Sequence, residues 1–544
     1  MLRKSKIKKS EESESETKSN ENSSENEDEF QKKNIDEMEY ENSFFDLRTK
    51  KGQFLFFAIT IITSILITQF VPLDDLKNIL KSSSLQCSPC NNSIFNDQKK
   101  PTFWIYGKGS DGQWIHVIRI LNLLGFERVY EDQSDTVDLL WAHDYPFNNL
   151  RSKIHAMQSH QKINHFPGCG YITNKIDLAT TDMKYIPKAF RLPKDEEKFK
   201  AYAENTDKLF LVKHYQHRHI KIKKIDEINF NDNQTFIQEF IQNPFLVDGH
   251  KFDIGVYVTV TSLNPLRVYI YYGDILFRYC PQKYYPFDAN NVDKYVVGDD
   301  YLPTWEVPSL SHYYNAFGYG MKGSFDAYVK SQGRDPQKIW NQVEDAIRVS
   351  ILTKHPLLKA LLQHYKNKQN FFEMIRFDLI IDNDMQVYLI EANMSPNLSS
   401  AHFKQNTLLY EQVLYNMLNL VGVGSYARRE NFKRFDSNTE AVLSSDKNIM
   451  VNGEICSQLP CSESCSPTEC QLCKPCLSRY EISELHRAYR EHMNRGDNKR
   501  IFPVPILDKK KPLEDEFYKN LTPSNQLITK WFYAKCLSDN SWCN

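Results

Sequence analysis

The chain has 544 residues, more than one typical domain, and 41% of them are apolar, which is enough for a sizeable core. Its 68 Lys and Arg against 69 Asp and Glu leave a formal net charge of -1 at pH 7, so the balance gives no electrostatic footprint for nucleic acid. No internal repeat is evident, which sets solenoids and propellers aside.

The chain begins with a run of Ser, Glu, Asn and Lys from Ser10 to Glu29, with almost nothing apolar to offset the entropy of ordering. Residues 1–50 are expected to be a disordered cytosolic tail. Residues 54–71 are mostly apolar and long enough to span a bilayer, although Thr60, Thr63, Ser64, Thr68 and Gln69 weaken the run, and a single transmembrane helix is predicted over 53–72. A buried helix is the alternative, but the polar tail before it leaves no evident core to join. A cleaved signal peptide would start nearer Met1. Arg48, Lys50 and Lys51 precede the run and Asp74 and Asp75 follow it, which favours a type II orientation with the remainder luminal. Lys77 and Lys81 on the far side keep the opposite orientation open. Residues 73–100 read as a stalk carrying Cys87 and Cys90, and glycosylation sequons start at Asn91, Asn233 and Asn520.

From residue 101 the pattern is α+β. A strand over Thr102 to Tyr106 and a helix over Trp114 to Leu124 flank Gly107-Lys108-Gly109-Ser110-Asp111-Gly112, a dinucleotide-type pattern. The acidic residue such a site needs after its second strand is only loosely met by Asp138. The segment therefore reads as a loop of a small N-terminal α/β lobe, continued by a helix-turn-strand element from Tyr130 to Trp141. Further on, Phe372 to Ile381 and Gln386 to Glu391 read as two strands closed by a two-residue loop at Asn383-Asp384, so that Asp382 faces Met385, Asp378 faces Leu389 and Arg376 faces Glu391. Period-two alternation places Phe377, Leu379, Ile381, Tyr388 and Ile390 on a core face and Asp378, Glu391 and Asn393 on the other. There the oxygens can converge on magnesium. An acidic hairpin facing water is the bland alternative.

Residues 426–477 read as a linker and a cysteine-rich segment with Cys456, Cys461, Cys465, Cys470, Cys473 and Cys476, and Cys536 and Cys543 end the chain. That density suits disulfides in an oxidising compartment, while the Cys470–Cys473 and Cys473–Cys476 spacings keep zinc open. The C-terminal segment 478–544 is expected to be helical, with Leu485, Tyr489 and Met493 on one stripe of a Tyr480 to Met493 helix packed on the main body.

Eight short blocks carry a resemblance when taken together. They are Asn164-His165-Phe166-Pro167-Gly168, Lys175-Ile176-Asp177-Leu178, Pro187-Lys188-Ala189-Phe190-Arg191, Phe210-Leu211-Val212-Lys213, Gln238-Glu239-Phe240-Ile241, Lys251-Phe252-Asp253-Ile254, Phe377-Asp378 and Glu391-Ala392-Asn393-Met394-Ser395-Pro396. In this order, over residues 101–425, the chain resembles the tubulin tyrosine ligase-like family. The resemblance implies an ATP-grasp-like fold, in which two α+β lobes close on ATP and a phosphorylated carboxylate is attacked by an amine to give an amide. It gives Asp378, Glu391 and Asn393 the magnesium role, and Lys175 and Lys213 contacts to nucleotide. Gln238, Glu239, Phe240 and Ile241 would form the adenine hinge, Lys251 and Asp253 would meet ribose and phosphate, and Arg278 would be the phosphate-binding arginine, catalytic together with Glu391.

Three departures accompany the match. No glycine occurs in His214-Tyr215-Gln216-His217-Arg218-His219, where the family has a glycine-rich loop. Gly255 stands where the family has an arginine, so a positive charge is expected to be missing. The usual acceptor block is not found around Tyr295 to Trp305. The resemblance implies an ATP- and magnesium-dependent ligase, monomeric, adding glutamate to glutamate side chains of an acidic tail, by family tubulin. A membrane-anchored pseudo-ligase that holds acidic peptides without turnover is the alternative.

Overall fold

The structure is a computed structural model and describes residues 100–131, 136–204, 206–215, 220–425, 442–510, 513 and 516–544. The expected tail, the membrane span over 53–72, Cys87, Cys90 and the Asn91 sequon lie outside the described residues. Among those described, no helix is long and apolar enough to cross a membrane.

The first layer is a four-stranded parallel sheet in the order β2-β1-β3-β4, with β1 Thr102–Tyr106, β2 Glu127–Arg128, β3 Leu139–Ala142 and β4 Lys162–Ile163. The loop at Gly107 leads into α1, Ile115–Leu123, as expected of a small α/β lobe. A second four-stranded sheet runs β5-β8-β6-β7, from β5 Ala189–Arg191, β6 Phe210–His214, β7 Ile220–Lys223 and β8 Thr235–Glu239. It has its own small core of Leu192, Phe199, Phe210 and Ile237.

The third sheet has seven strands: β9 Phe252–Leu263, β10 Leu266–Tyr271, β11 Leu276–Tyr279, β12 Leu302–Pro303, β13 Glu373–Ile381, β14 Val387–Asn393 and β15 Asn498–Phe502. Twelve residues long, β9 carries β11 and β10 in succession along one edge and β13 along the other. One face of this sheet is continuous core: Phe252, Ile254, Val256, Phe277, Phe377 and Leu379 are all at most 2% exposed. Against the sheet packs a 26-residue amphipathic helix, α2, Gln337–Leu362, burying Ile339, Trp340, Val343, Ile347 and Ile351. The opposite face, sterically free of that helix, is where polar side chains gather.

The hairpin β13–β14 forms as expected but in a different register. Its loop has three residues, Asn383, Asp384 and Met385, the last at φ +66°, and Asp382 N–H donates to Gln386 rather than facing Met385. A bulge follows. Leu379 pairs with Leu389 but Asp378 pairs with Glu391 and Arg376 with Asn393, which leaves Ile390 as the extra residue on β14. Val387 and Leu389 are buried on the core face, and strict alternation would send Glu391 there too; the bulge reverses the phase and turns Glu391 to the side of Asp378. Tyr388, expected on the core face, pairs with Ile380 and donates its hydroxyl to Asp382 at 3.1 Å on the opposite one.

The C-terminal segment is integrated rather than appended. Helix α3, Arg479–Met493, begins with a Ser478–Glu481 capping box, and β15 adds to β10 in the central sheet. The expected stripe is corrected: Leu485 is buried, but Met493 is 59% exposed, and Glu484 and Glu491 take buried positions because Arg267 meets them there. Disulfides Cys456–Cys473, Cys461–Cys470 and Cys465–Cys476 use all six sulfurs of the cysteine-rich segment, so no thiolate among them remains for zinc. Cys536–Cys543 staples the end of α4, Pro523–Ser538.

Candidate active site

Four strands of the central sheet present alternate residues to one face, and their registers bring the predicted residues together. Asp253 on β9 pairs with Arg278 on β11, Gly255 on β9 pairs with Asp378 on β13, and Asp378 pairs with Glu391 on β14. The side chains then connect. Arg278 donates to both oxygens of Asp253 at 2.8 Å and to Asp378 Oδ2 at 3.1 Å. Arg376 grips Asp378 through Nε at 2.7 Å and Nη2 at 2.9 Å, and Asn393 Nδ2 donates to the same carboxylate at 3.0 Å.

This is a buried array of two guanidiniums and two carboxylates, with Asp378 only 4% exposed. Burial alone would raise a carboxylate's pKa, and at Asp253 burial prevails against Arg278. At Asp378, Arg376 and Arg278 outweigh burial and hold the carboxyl below its ordinary range, while both arginines are pushed above theirs despite being buried.

Sequence alone does not reveal Arg376 as a site residue, because a single basic residue two positions before Asp378 carries no family signature. Its structural companion is Gly255. A Cβ at position 255 would lie 3.0 Å from Arg376 Cδ and 3.4 Å from its Nε, so the arginine stem crosses β9 where glycine leaves room. An arginine from the neighbouring strand thus occupies the space that a side chain at position 255 would take.

The other predicted residues come from a short helix, from the second sheet and from the start of β9. Lys175 begins a short helix, Lys175–Ala179, whose first amides are capped by Asn174, and its ammonium lies 3.0 Å from Glu391 Oε1. Lys213 on β6 donates to Gln238 on β8 at 2.7 Å; burial brings its pKa down to about 8, against the pull of Glu391. Lys251 donates to the Tyr295 carbonyl at 2.6 Å, and its pKa is lowered by burial. The hinge is split. Gln238 faces Lys213, but Glu239 is held by Lys208 at 2.6 Å and Tyr202 at 2.6 Å, and Phe240 packs with Tyr284 and Tyr295, with Ile241 following β8. His214 ends β6 and bonds Gln234 at 2.9 Å, while residues 216–219 of the glycine-free loop lie outside the described residues.

The donor set suits magnesium in kind: the Glu391 carboxylate, the Asn393 amide oxygen and the Asp378 carboxylate are hard oxygens on one face. In this arrangement the Asp378 oxygens are engaged by Arg376, Arg278 and Asn393. A second cluster, His165, Cys169 and Glu373, has its ligand atoms within 4.8 Å of one another. It reads as a latch, not a metal centre, since His165 bonds Glu373 at 2.6 Å and the Ala142 carbonyl at 2.8 Å, and Glu373 also accepts from Phe166 N–H. It ties β13 to the N-terminal lobe, and burial next to Glu373 pushes the Cys169 thiol well up, leaving it inert.

Comparison with known proteins places this geometry in context. A tubulin-tyrosine ligase family model matches residues 153–430. The chain is 40% identical over 465 residues to a probable tubulin polyglutamylase, ttll-15, of Caenorhabditis elegans, covering 82% of this chain and 88% of that protein. It is 29% identical to mouse tubulin polyglutamylase TTLL6, over 55% of this chain and 38% of that one, and 25% identical to human tubulin polyglutamylase TTLL7, over 59% and 39%.

Gly255→Ala should crowd the Arg376 stem, forcing it to give by a few tenths of an ångström, and destabilise the fold by about 1–3 kcal/mol, as overpacking does elsewhere. Chemical denaturation checks this, and an unchanged midpoint would show that Arg376 does not depend on the missing side chain.

Proposed function

Since the chain belongs to the tubulin-tyrosine ligase family, we propose that it is an ATP-dependent carboxylate–amine ligase joining glutamate, through an amide bond, to glutamate side chains of an acidic protein tail. The names of its relatives support glutamate and a tubulin-type tail as the substrate pair. The observation that carries the chemistry is the single polar face on which Arg278, Arg376, Asp378, Glu391 and Asn393 meet, opposite Lys175 and Lys213.

Phosphoryl transfer asks the protein mainly for positioning and charge neutralisation. Bidentate pairing with Asp253 fixes the Arg278 guanidinium in one orientation, so no reorganisation is needed when charge develops beside it. Lys175, Lys213 and Lys251 are the cations for a triphosphate, and the half-buried Lys213 acts in a medium where its charge is less screened than in water. Magnesium, when bound, would neutralise phosphate oxygens; Glu391 and Asn393 would hold it, joined by Asp378 once Arg376 lets go. Arg376 supplies, from β13, the positive charge expected at position 255.

The saturated Asp378 carboxylate favours a second reading. If Arg376 never releases it, the cleft binds acidic peptides or nucleotide without turnover.

The compartment belongs to the same proposal. Four disulfides support an oxidising environment for the folded region, and hence an acidic tail on a secretory-pathway or extracellular protein, with residues 54–71 as the membrane anchor of a type II protein.

Glu391→Gln should remove incorporation of labelled glutamate into an acidic acceptor, with stability within about 0.5 kcal/mol because Glu391 is only half-buried. ATP binding without incorporation by the unaltered protein would favour the second reading. The sequon residues Asn233 and Asn520 are exposed. Glycosidase treatment of the expressed chain should therefore increase its mobility, and absence of any shift would put the fold in the cytosol.

A further inference from the structure

The loop that follows β14 carries a glycosylation sequon, Asn397-Leu398-Ser399, which the site chemistry does not use. Asn397 is exposed, while Pro396 and Leu398 on either side of it are buried. We propose that Asn397 carries an N-linked glycan at the rim of the catalytic cleft, where it restricts entry of a protein tail but not of ATP. The inference rests on the oxidising-compartment reading, since N-glycosylation belongs to secretory chains.

Position is the first argument. Asn397 stands four residues beyond Asn393, so their Cα atoms are at most roughly 14 Å apart. The loop is also pinned. Ser395 Oγ donates to the His143 carbonyl at 2.6 Å, just past the end of β3, and Ser400 Oγ bonds His116 Nε2 on α1 at 2.8 Å. Both flanks of the sequon are thus tied to the N-terminal lobe, and Leu398 is anchored in the core between them. A bulky sugar at Asn397 therefore stays beside the end of β14 that carries Glu391 and Asn393.

Chemistry is the second. The donor class is a lipid-linked diphosphate oligosaccharide: the sugar–phosphate bond breaks, a C–N bond forms at Asn397 Nδ2, and the lipid diphosphate leaves with the proton lost from the amide. Asn397 Oδ1 accepts from Ser399 N–H at 2.9 Å, whereas its Nδ2 makes no hydrogen bond among the described residues. The atom to be modified is thus free in the folded chain. Asn393 also heads a sequon, Asn393-Met394-Ser395, but its Nδ2 donates to Asp378 at 3.0 Å, and a sugar there would break that bond. Size decides what the glycan at Asn397 excludes. ATP and glutamate are small, whereas an acceptor tail brings a whole protein to the rim, and steric conflict there discriminates against it.

Peptide glycosidase in heavy-oxygen water converts a glycosylated asparagine to labelled aspartate, and mass spectrometry of the full chain from a secretory host should find that label at Asn397. An unlabelled Asn397 beside any other labelled sequon would overturn the inference and leave the compartment reading intact; no label anywhere would overturn both. Calorimetry then compares the unaltered protein with Ser399→Ala and Asn397→Gln, which remove the sequon, and with Ser399→Thr, which keeps it. Ser399→Ala gives up only a weak acceptor for Ala401 N–H at 3.3 Å, so the fold is retained. A glutamate-rich tail fused to a globular carrier should bind the two sequon-free variants about tenfold more tightly than the unaltered protein and Ser399→Thr, while ATP binds all four alike. Equal behaviour of all four proteins toward the carrier-borne tail would overturn the restriction of entry.

Discussion

Everything at the candidate site depends on two ion pairs, one buried and one half-buried, set on one face of a sheet whose other face is largely apolar. Asp253, Arg278, Asp378 and Arg376 are held by fixed strand registers, so each guanidinium meets its carboxylate without a long search through rotamers. Breaking such a pair by removing one partner costs about 3–5 kcal/mol, because the other charge is left buried. The array is therefore a structural clamp across β11, β9 and β13, with its charges balanced pair by pair. The arginine stem passes over β9 close to Gly255, whose missing side chain leaves room for that approach.

The bulge at Ile390 has comparable importance. Apolar packing of Val387 and Leu389 against the core fixes the start of β14, and one inserted residue then turns Glu391 to the opposite side, next to Asp378 and within reach of Lys175. Without it a carboxylate would point into the largely hydrophobic layer beneath α2, where burying it is costly.

The sequence picks out the residues that the structure gathers on this face, apart from Arg376, but not their register. Alternating apolar residues in Glu373–Ile381 and the Asn383-Asp384 turn signal identify the hairpin. A three-residue loop with a left-handed Met385, and a bulge at Ile390, require backbone conformations that composition does not encode. Strict alternation still places Glu391 and Asn393 beside Asp378, only because the wrong phase at Tyr388 and the omitted bulge cancel. Arg376 stays invisible because its role exists only across strands, next to Gly255. Likewise the pairing of six cysteines, which spacing leaves open between zinc and disulfides, depends on how residues 456–476 fold back on themselves. The buried stripe of α3 reads as purely apolar in sequence, since Arg267, which satisfies Glu484 and Glu491, lies more than two hundred positions earlier in the chain.

The central claim is that the site needs the positive charge and not the strand it comes from. Its most direct test is the paired exchange Gly255→Arg with Arg376→Gly, compared with Arg376→Gly alone, in magnesium-dependent ATP binding measured by calorimetry. The account predicts that the single change weakens ATP by about tenfold or more and that the exchange restores most of the loss. Equal binding by all three proteins, or no recovery in a correctly folded exchange variant, would contradict it.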